Sequence, residues 1–270
     1  MKKIIVFLLM TFSLTLPCFA KNIPILAYHD FVTENEPRGE YAVSESVFRS
    51  HIKALHDAGY TAVTFSELID YVYGSSELPE KCVVISSDDG YDGVIDTAVS
   101  VCDEYGMKMT CAVIGRLVGK NGHFVPNTSI SDSLEITSHS FDLHNCDEIV
   151  RGVRCDLAND REYEKLLSSD VMRMREVLGQ DFAEINRVFV YPFGEYTNRS
   201  EAILKKLGYK VTVTCKNGVA HIEKNSPDSL RELPRIHVFN NMTAEKLLKK
   251  IEGTEEEALI SRMTLRSMKQ

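Results

Sequence analysis

The sequence has no Cys-x-x-Cys pair, no Gly-x-Gly-x-x-Gly turn and no Gly-x-Ser-x-Gly elbow. The first absence removes a thiol–disulfide exchange site and a cysteine zinc knuckle. The second removes the glycine fingerprint of a dinucleotide-binding sheet, and the third the nucleophile turn of the α/β serine hydrolases. Basic charge is scarce: 31 Lys and Arg stand against 39 Asp and Glu, a formal net charge of −8, which argues against a nucleic-acid partner. No internal repeat or linker-like stretch divides the 270 residues, and nothing marks a stable protein partner. A chain of this length can bury one large core.

One long uncharged apolar run is present, from Ile4 to about Leu16, preceded by Lys2 and Lys3 and followed by Pro17-Cys18-Phe19-Ala20. It is shorter than the roughly 20 apolar residues of a spanning helix. With its basic start and small terminal residue it predicts a signal peptide over 1–20, cut after Ala20, and a protein secreted or held at the cell surface or periplasm. Loss of Lys2 and Lys3 takes the basic count from 31 to 29 against 39 acids, a formal charge of about −10. Six cysteines then remain, and an even number in an exported chain permits disulfides, with Cys146 and Cys155 the first choice for a bridge. Cys82 and Cys111 sit in apolar strands and read as small core residues.

Apolar runs of strand length recur at 23–28, 61–65, 82–85, 109–114, 134–137, 188–191, 211–214 and 236–239, separated by segments of helical spacing at 47–58, 66–73, 94–105, 162–178, 200–207 and 244–251. Strands alternating with helices predict parallel pairing. Gly59, Gly106 and Gly208 each stop a helix shortly before a strand. Seven or eight such units predict an α/β fold, a complete or distorted (β/α) barrel, with residues 21–252 as its single domain and 253–270 as a C-terminal tail or final helix. The charged stretch 34–45 reads as a loop over the barrel mouth.

Reactive groups in such a barrel gather where strands end. His29 and Asp30 follow the first run, Asp88-Asp89-Gly90 the third, His139 and His144 the fifth, and Tyr191-Pro192-Phe193-Gly194 the sixth. One carboxylate and two neutral imidazoles form a three-ligand set that leaves positions open on Zn²⁺ or a similar divalent ion. Adjacent carboxylates at a strand end point in different directions, so one of Asp88 and Asp89 is free to serve as a base. His51, His56, His123 and His221 read as surface residues. Tyr28, Phe124, Phe141, Phe193 and Tyr196 either line a cleft, where aromatic faces can stack on the rings of a ligand, or fill the core.

Ser-Ser-Asp-Asp-Gly over 86–90 resembles the Thr-Phe-Asp-Asp-Gly element of the polysaccharide deacetylases, the NodB-like enzymes of carbohydrate esterase family 4. His139-Ser140 with His144 resembles their His-Ser/Thr…His element, and Tyr191-Pro192-Phe193-Gly194 their Arg-Pro-Pro-Tyr-Gly loop. The early Leu26-Ala27-Tyr28-His29-Asp30 is most similar to the branch that deacetylates poly-β-1,6-N-acetylglucosamine. The resemblance implies a NodB-like barrel that hydrolyses N-acetyl groups of an N-acetylglucosamine polysaccharide with one divalent ion, Zn²⁺ before Co²⁺, Ni²⁺ or Fe²⁺. It assigns Asp88 as base, Asp89, His139 and His144 as metal ligands and His29 as acid, with Asp30 beside it to keep it charged. Phe193, through its backbone N–H, and Tyr191 fall at the oxyanion and substrate position. His237 rivals His29. The family's usual arginine is replaced by Val190, so Arg187 or Arg235 must orient the base. The alternatives are an O-acetyl esterase on xylan or a related glycan, and a non-catalytic carbohydrate-binding barrel.

Overall fold

The structure, a computed structural model, describes residues 20–34, 39–126, 131–144, 150–155, 160–179 and 187–267, with the backbone alone at 150–151, 154–155 and 257–267. In chain order the strands are β1 (Ala20–Ile23), β2 (Ile25–Tyr28), β3 (Asp30–Val32), β4 (Ala42–Ser44), β5 (Thr61–Ala62), β6 (Cys82–Ser87), β7 (Met109–Val113), β8 (Leu134–Ser138), β9 (Val150–Arg151), β10 (Arg154–Cys155), β11 (Val188–Val190), β12 (Val211–Asn217), β13 (Ala220–Glu223) and β14 (Leu233–His237). The helices are α1 (Glu45–Asp57), α2 (Phe65–Val72), α3 (Val99–Glu104), α4 (Asp160–Leu178), α5 (Asn198–Lys206) and α6 (Ala244–Ser267). A π-helical turn, Val94–Ala98, leads into α3, so the helix expected over 94–105 comes in two pieces.

Seven strands close a parallel barrel in the order β2-β14-β12-β11-β8-β7-β6, with β6 pairing back to β2 from Ile25↔Val84 to Tyr28↔Ser87. The short β5 runs beside only the first residues of β6, so the eighth expected strand is not a full stave. Ile25–Tyr28 and Cys82–Ser87 are buried throughout, as continuous apolar strands of a sheet covered on both faces should be. Alternate residues divide between two sides. Ile25, Val84, Ala112, Val190, Val213 and Leu233 share an inner cluster. Leu26, Ile85, Cys111 and Ile136 pack outward with Phe48 and Ile52 of α1 and Leu247 and Ile251 of α6. Phe189 packs outward with Leu167 and Val171 of α4 and Leu204 of α5. Each such side chain removed from water contributes about 1.5–3 kcal/mol.

Helix boundaries follow local chemistry. Thr64 and Glu67 close a capping box at α2, and Thr197 and Ser200 do the same at α5. Helix α6 continues through Gly253, so the segment from 253 to Ser267, expected as a helix or a tail, is helical. The stretch 34–45 is less irregular than expected: Ala42–Ser44 pairs in parallel with Asp30–Val32, and Tyr41 comes to lie at the barrel mouth. Among the described residues no helix is long and apolar enough to cross a membrane. Cys82, Cys102, Cys111 and Cys215 are free thiols. Of the expected Cys146–Cys155 bridge, Cys146 lies outside the described residues and Cys155 is described by its backbone alone in β10; the expected signal peptide lies outside them save Ala20, which opens β1.

Candidate active site and metal centre

Strand alternation aims the site. Asp88 continues the inward register of Cys82, Val84 and Ser86, Arg235 and His237 that of Leu233, and Cys215 that of Val211 and Val213. At the C-terminal mouth these groups meet around a cavity of 370 Å³ lined by His29, Tyr41, Asp88, Asp89, His139, His144, Phe193, Cys215 and His237. The turn after β6 is tight. Asp89 has φ +73° and Gly90 φ +84°, and a Cβ at Gly90 would stand 2.8 Å from Val113 Cγ1. Glycine is thus required where the chain leaves the carboxylate pair.

Asp89, His139 and His144 each offer one atom to a cluster whose members all lie within 4.8 Å of one another. Both imidazoles present Nε2 to the same Asp89 oxygen, at 3.6 Å from His139 and 3.4 Å from His144. Ligands about 2.0–2.1 Å from one ion at the tetrahedral angle stand about 3.3 Å apart, so the spacing fits a small divalent cation. Two further observations agree. Asp89 Oδ1 is buried with no hydrogen-bond partner, an uncompensated state for a polar atom. His139 Nδ1 donates to Val190 O at 2.8 Å, which leaves Nε2 as the lone-pair nitrogen. Burial lowers His139 to about 4 and lowers His144 as well, so both are neutral ligands near pH 7. Burial, and then the charge of Asp88, raise Asp89 to about 7.

Asp88 is 3% exposed and makes a two-pronged ion pair with Arg235, Nη1 to Oδ1 at 2.7 Å and Nη2 to Oδ2 at 2.8 Å. Burial pushes the Asp88 carboxyl up, but the Arg235 charge, then that of His139, override it and hold it well below the usual carboxylate range. Arg235 is itself fully buried, and its Nε donates to Thr214 O. Of the two arginines open from the sequence, Arg235 is therefore the partner of Asp88. Arg187 precedes β11 at the opposite end of the strands.

The His29 ring lies against that of Tyr41, centroids 4.6 Å apart and planes tilted by 53°, and its Nδ1 has no hydrogen-bond partner. Burial lowers its pKa, and Asp88 only partly offsets this. Asp30, the carboxylate expected beside His29, is 7% exposed with its Oδ1 accepting from the Phe31 N–H, and the charge of Asp88 pushes the His29 pKa upward against burial. His237 lines the same cavity, with Nε2 at 3.0 Å from Cys215 O.

Phe193 adopts φ +57° and lays its ring 4.3 Å from that of His144, while a Cβ on neighbouring Gly194 would stand 2.6 Å from Cys215. Tyr191 does not reach the site. It shares the outward register of Phe189 and donates its hydroxyl to Glu201 at 2.5 Å. Of the five aromatics weighed for a cleft or the core, only Phe193 lines the cavity. Tyr28, Phe124 and Phe141 are buried in the core and Tyr196 pairs with Glu232. His51 and His123 are buried, not superficial: His51 bridges Tyr28 Oη and Met242 O, and His123 stacks on Tyr91. Tyr41 and Cys215 were not anticipated. For Cys215 the signal available was its inward parity, and for Tyr41 an aromatic within a charged loop.

A family model described as polysaccharide deacetylase matches residues 75–212. The chain belongs to the polysaccharide deacetylase family. The matched span contains Asp88, Asp89, His139, His144 and Phe193, whereas His29, Arg235 and His237 lie outside it. Relatives include YxkH of Bacillus subtilis strain 168, carrying a polysaccharide deacetylase name, 28% identical over 201 residues that cover 74% of this chain and 66% of that protein. The poly-β-1,6-N-acetyl-D-glucosamine N-deacetylase of Escherichia coli strain K12 is 24% identical over 267 residues, 86% of this chain and 39% of that protein. The chain thus spans about two thirds of the first relative and well under half of the second. Among solved structures, IcaB from Ammonifex degensii superposes with a TM-score of 0.68 at 23% identity over 85% of this chain and 97% of that one, which supports the barrel.

Proposed function

We propose that the protein is a metal-dependent hydrolase that removes N-acetyl groups from an N-acetylglucosamine polysaccharide of the poly-β-1,6-linked kind. The observation that carries this reading is the convergence of Asp89, His139 and His144 on one point with the Arg235-held carboxylate of Asp88 beside it. The E. coli relative's name supplies the substrate class, and its N-deacetylase chemistry favours an amide over an O-acetyl ester.

Asp89, His139 and His144 would hold the ion, with Zn²⁺ the choice for two nitrogens and one oxygen. When bound, it lowers the pKa of water and polarises the acetamide carbonyl. Asp88 accepts a proton from the attacking water, and the Arg235 fork keeps it ionised and aimed. The Phe193 N–H is the backbone donor for the developing oxyanion. His29 supplies the proton that the departing amine requires. Burial lowers the His29 pKa, so the imidazole takes this proton from solvent before the attack, and Asp88 returns the water's proton to solvent when the products leave. His237 lies across the same cavity as a second candidate. Tyr41 and Phe193 wall the cleft against pyranose faces. A leader over 1–20 would place this activity outside the cytoplasm.

The test is acetate release from poly-β-1,6-N-acetylglucosamine by the full protein, with and without chelator, beside Asp88→Asn. The reading expects release that chelator stops, Zn²⁺ restores and Asp88→Asn lacks. Release indifferent to chelator would remove it.

A further inference from the structure

His144 follows His139 by five positions, and the chain between them must turn back toward Asp89. That turn is bonded nearly atom by atom. Ser140, at φ +66°, and Phe141 give their carbonyls to the N–H groups of Gly115 and Arg116 at 3.0 and 2.9 Å. Leu143 N–H donates to Ser140 Oγ at 3.1 Å. Ser140 N–H donates to Ser138 Oγ at 3.2 Å, and the other two donors in the bend, Phe141 N–H and Asp142 N–H, go to the two oxygens of one side chain in another element: Asp170 of α4, at 2.9 and 2.8 Å. Asp170 is 5% exposed and lies on the helix stripe of Tyr163, Leu167, Val171 and Met174 that faces the barrel.

We propose that Asp170 is a positioning residue for the metal centre, fixing the peptide planes between His139 and His144 so that both Nε2 atoms face Asp89 before an ion arrives. This rests on the reading of Asp89, His139 and His144 as ligands. Two successive N–H groups turned the same way need two acceptors, which a carboxylate has. Asparagine offers one oxygen and turns an NH₂ toward the other donor. Burial also pushes the Asp170 carboxyl up to about 6 despite those two bonds. Near pH 7 the helix therefore carries a buried charge that is unfavourable for folding, where an apolar residue would continue the stripe. Partners one step behind the ligands tune a metal site by orienting them, and their loss weakens metal binding about 10–100-fold.

The experiment titrates Zn²⁺ against a chromophoric chelator, and records the Co²⁺ spectrum, for metal-free unaltered protein, Asp170→Asn, Asp89→Asn and Met174→Leu. Met174 lies on the same helix stripe, next to Gly115, whose N–H bonds the bend. Expected are one tight site in the unaltered protein, about 10–100-fold weaker binding with an altered Co²⁺ spectrum in Asp170→Asn, no site in Asp89→Asn and unaltered affinity in Met174→Leu. If the unaltered protein takes up no ion, or Asp89→Asn binds as well as it does, the ligand reading fails and this inference with it. If Asp89→Asn loses the ion while Asp170→Asn binds as tightly as the unaltered protein, the ligand reading stands and the role of Asp170 is overturned. Amide exchange of the unaltered protein decides the matter even if Asp170→Asn does not fold. Phe141 and Asp142 should be protected without metal; protection only after Zn²⁺ is added would mean that the ion, not Asp170, builds the loop.

Discussion

Arg235 reaches from β14 across the barrel mouth and closes a two-pronged ion pair on Asp88 at the end of β6, with both partners out of water. The pair sets the direction in which the Asp88 lone pairs point and keeps the carboxyl ionised against the upward push of burial. A planar fork is suited to this task; a single ammonium fixes charge but not orientation.

Arg235→Lys should therefore lower kcat for acetate release by about 10²-fold with KM little changed, since misplacing a reacting group by about 1 Å can have that effect. Arg235→Met leaves Asp88 as an unpaired buried charge, and an urea titration should show a loss of about 3–5 kcal/mol. Equal kcat in Arg235→Lys and the unaltered protein would show that the fork does not orient the base.

The two adjacent aspartates should separate cleanly. Asp88→Asn keeps the ligand cluster, so Zn²⁺ affinity by calorimetry stays within about threefold while turnover falls at least 10²-fold, the lower end for loss of a general base. Asp89→Asn takes the negative charge from the shared ligand and puts an NH₂ in place of one oxygen, and should lose the ion and the activity together. Metal loss in Asp88→Asn with retention in Asp89→Asn would reverse the assignment.

Much of this was legible in the chain. The continuous apolar strands announce a sheet covered on both faces, and Asp88-Asp89-Gly90 with His139 and His144 stand at strand ends. Parity carries further than motif likeness: counting from buried Leu233 puts Arg235 and His237 inside, and counting from Phe189 puts Tyr191 outside. What a linear reading lacks is closure. The contact between residues 88 and 235 exists only because β2 pairs with both β14 and β6, and it replaces the arginine missing at Val190. His51 left no local trace of its burial, because its partners, Tyr28 and the Met242 carbonyl, come from distant segments. Asp170 did leave one, a charge on an otherwise apolar helix stripe.

His29 and His237 line one cavity, and replacement distinguishes them. His29→Gln should lower acetate release from an N-acetyl substrate about 10²–10³-fold, in the range for loss of general acid catalysis. It should affect an aryl acetate less than tenfold, because a phenolate leaves without a proton. His237→Gln should change both by less than tenfold. The opposite pattern would move the acid to His237.

Asp170 gives a pH dependence of stability whose sign is fixed. Burial raises its carboxyl from near 3.8 to about 6; the Phe141 and Asp142 N–H groups and the charge of Arg173 pull downward, and the Asp142 carboxylate pushes upward. Between about pH 4 and 6 the folded chain keeps a proton that the unfolded chain has released. The contribution is therefore full below about pH 4, declines as pH rises and is lost above about 6. A shift of about two units corresponds to about 3 kcal/mol. Urea titrations with chelator present should show the unaltered protein losing about that much relative to Asp170→Asn, which cannot titrate, from pH 4 to 7. A difference that stays level, or grows in favour of the unaltered protein as pH rises, would mean that Asp170 is ionised at its ordinary pH within the fold.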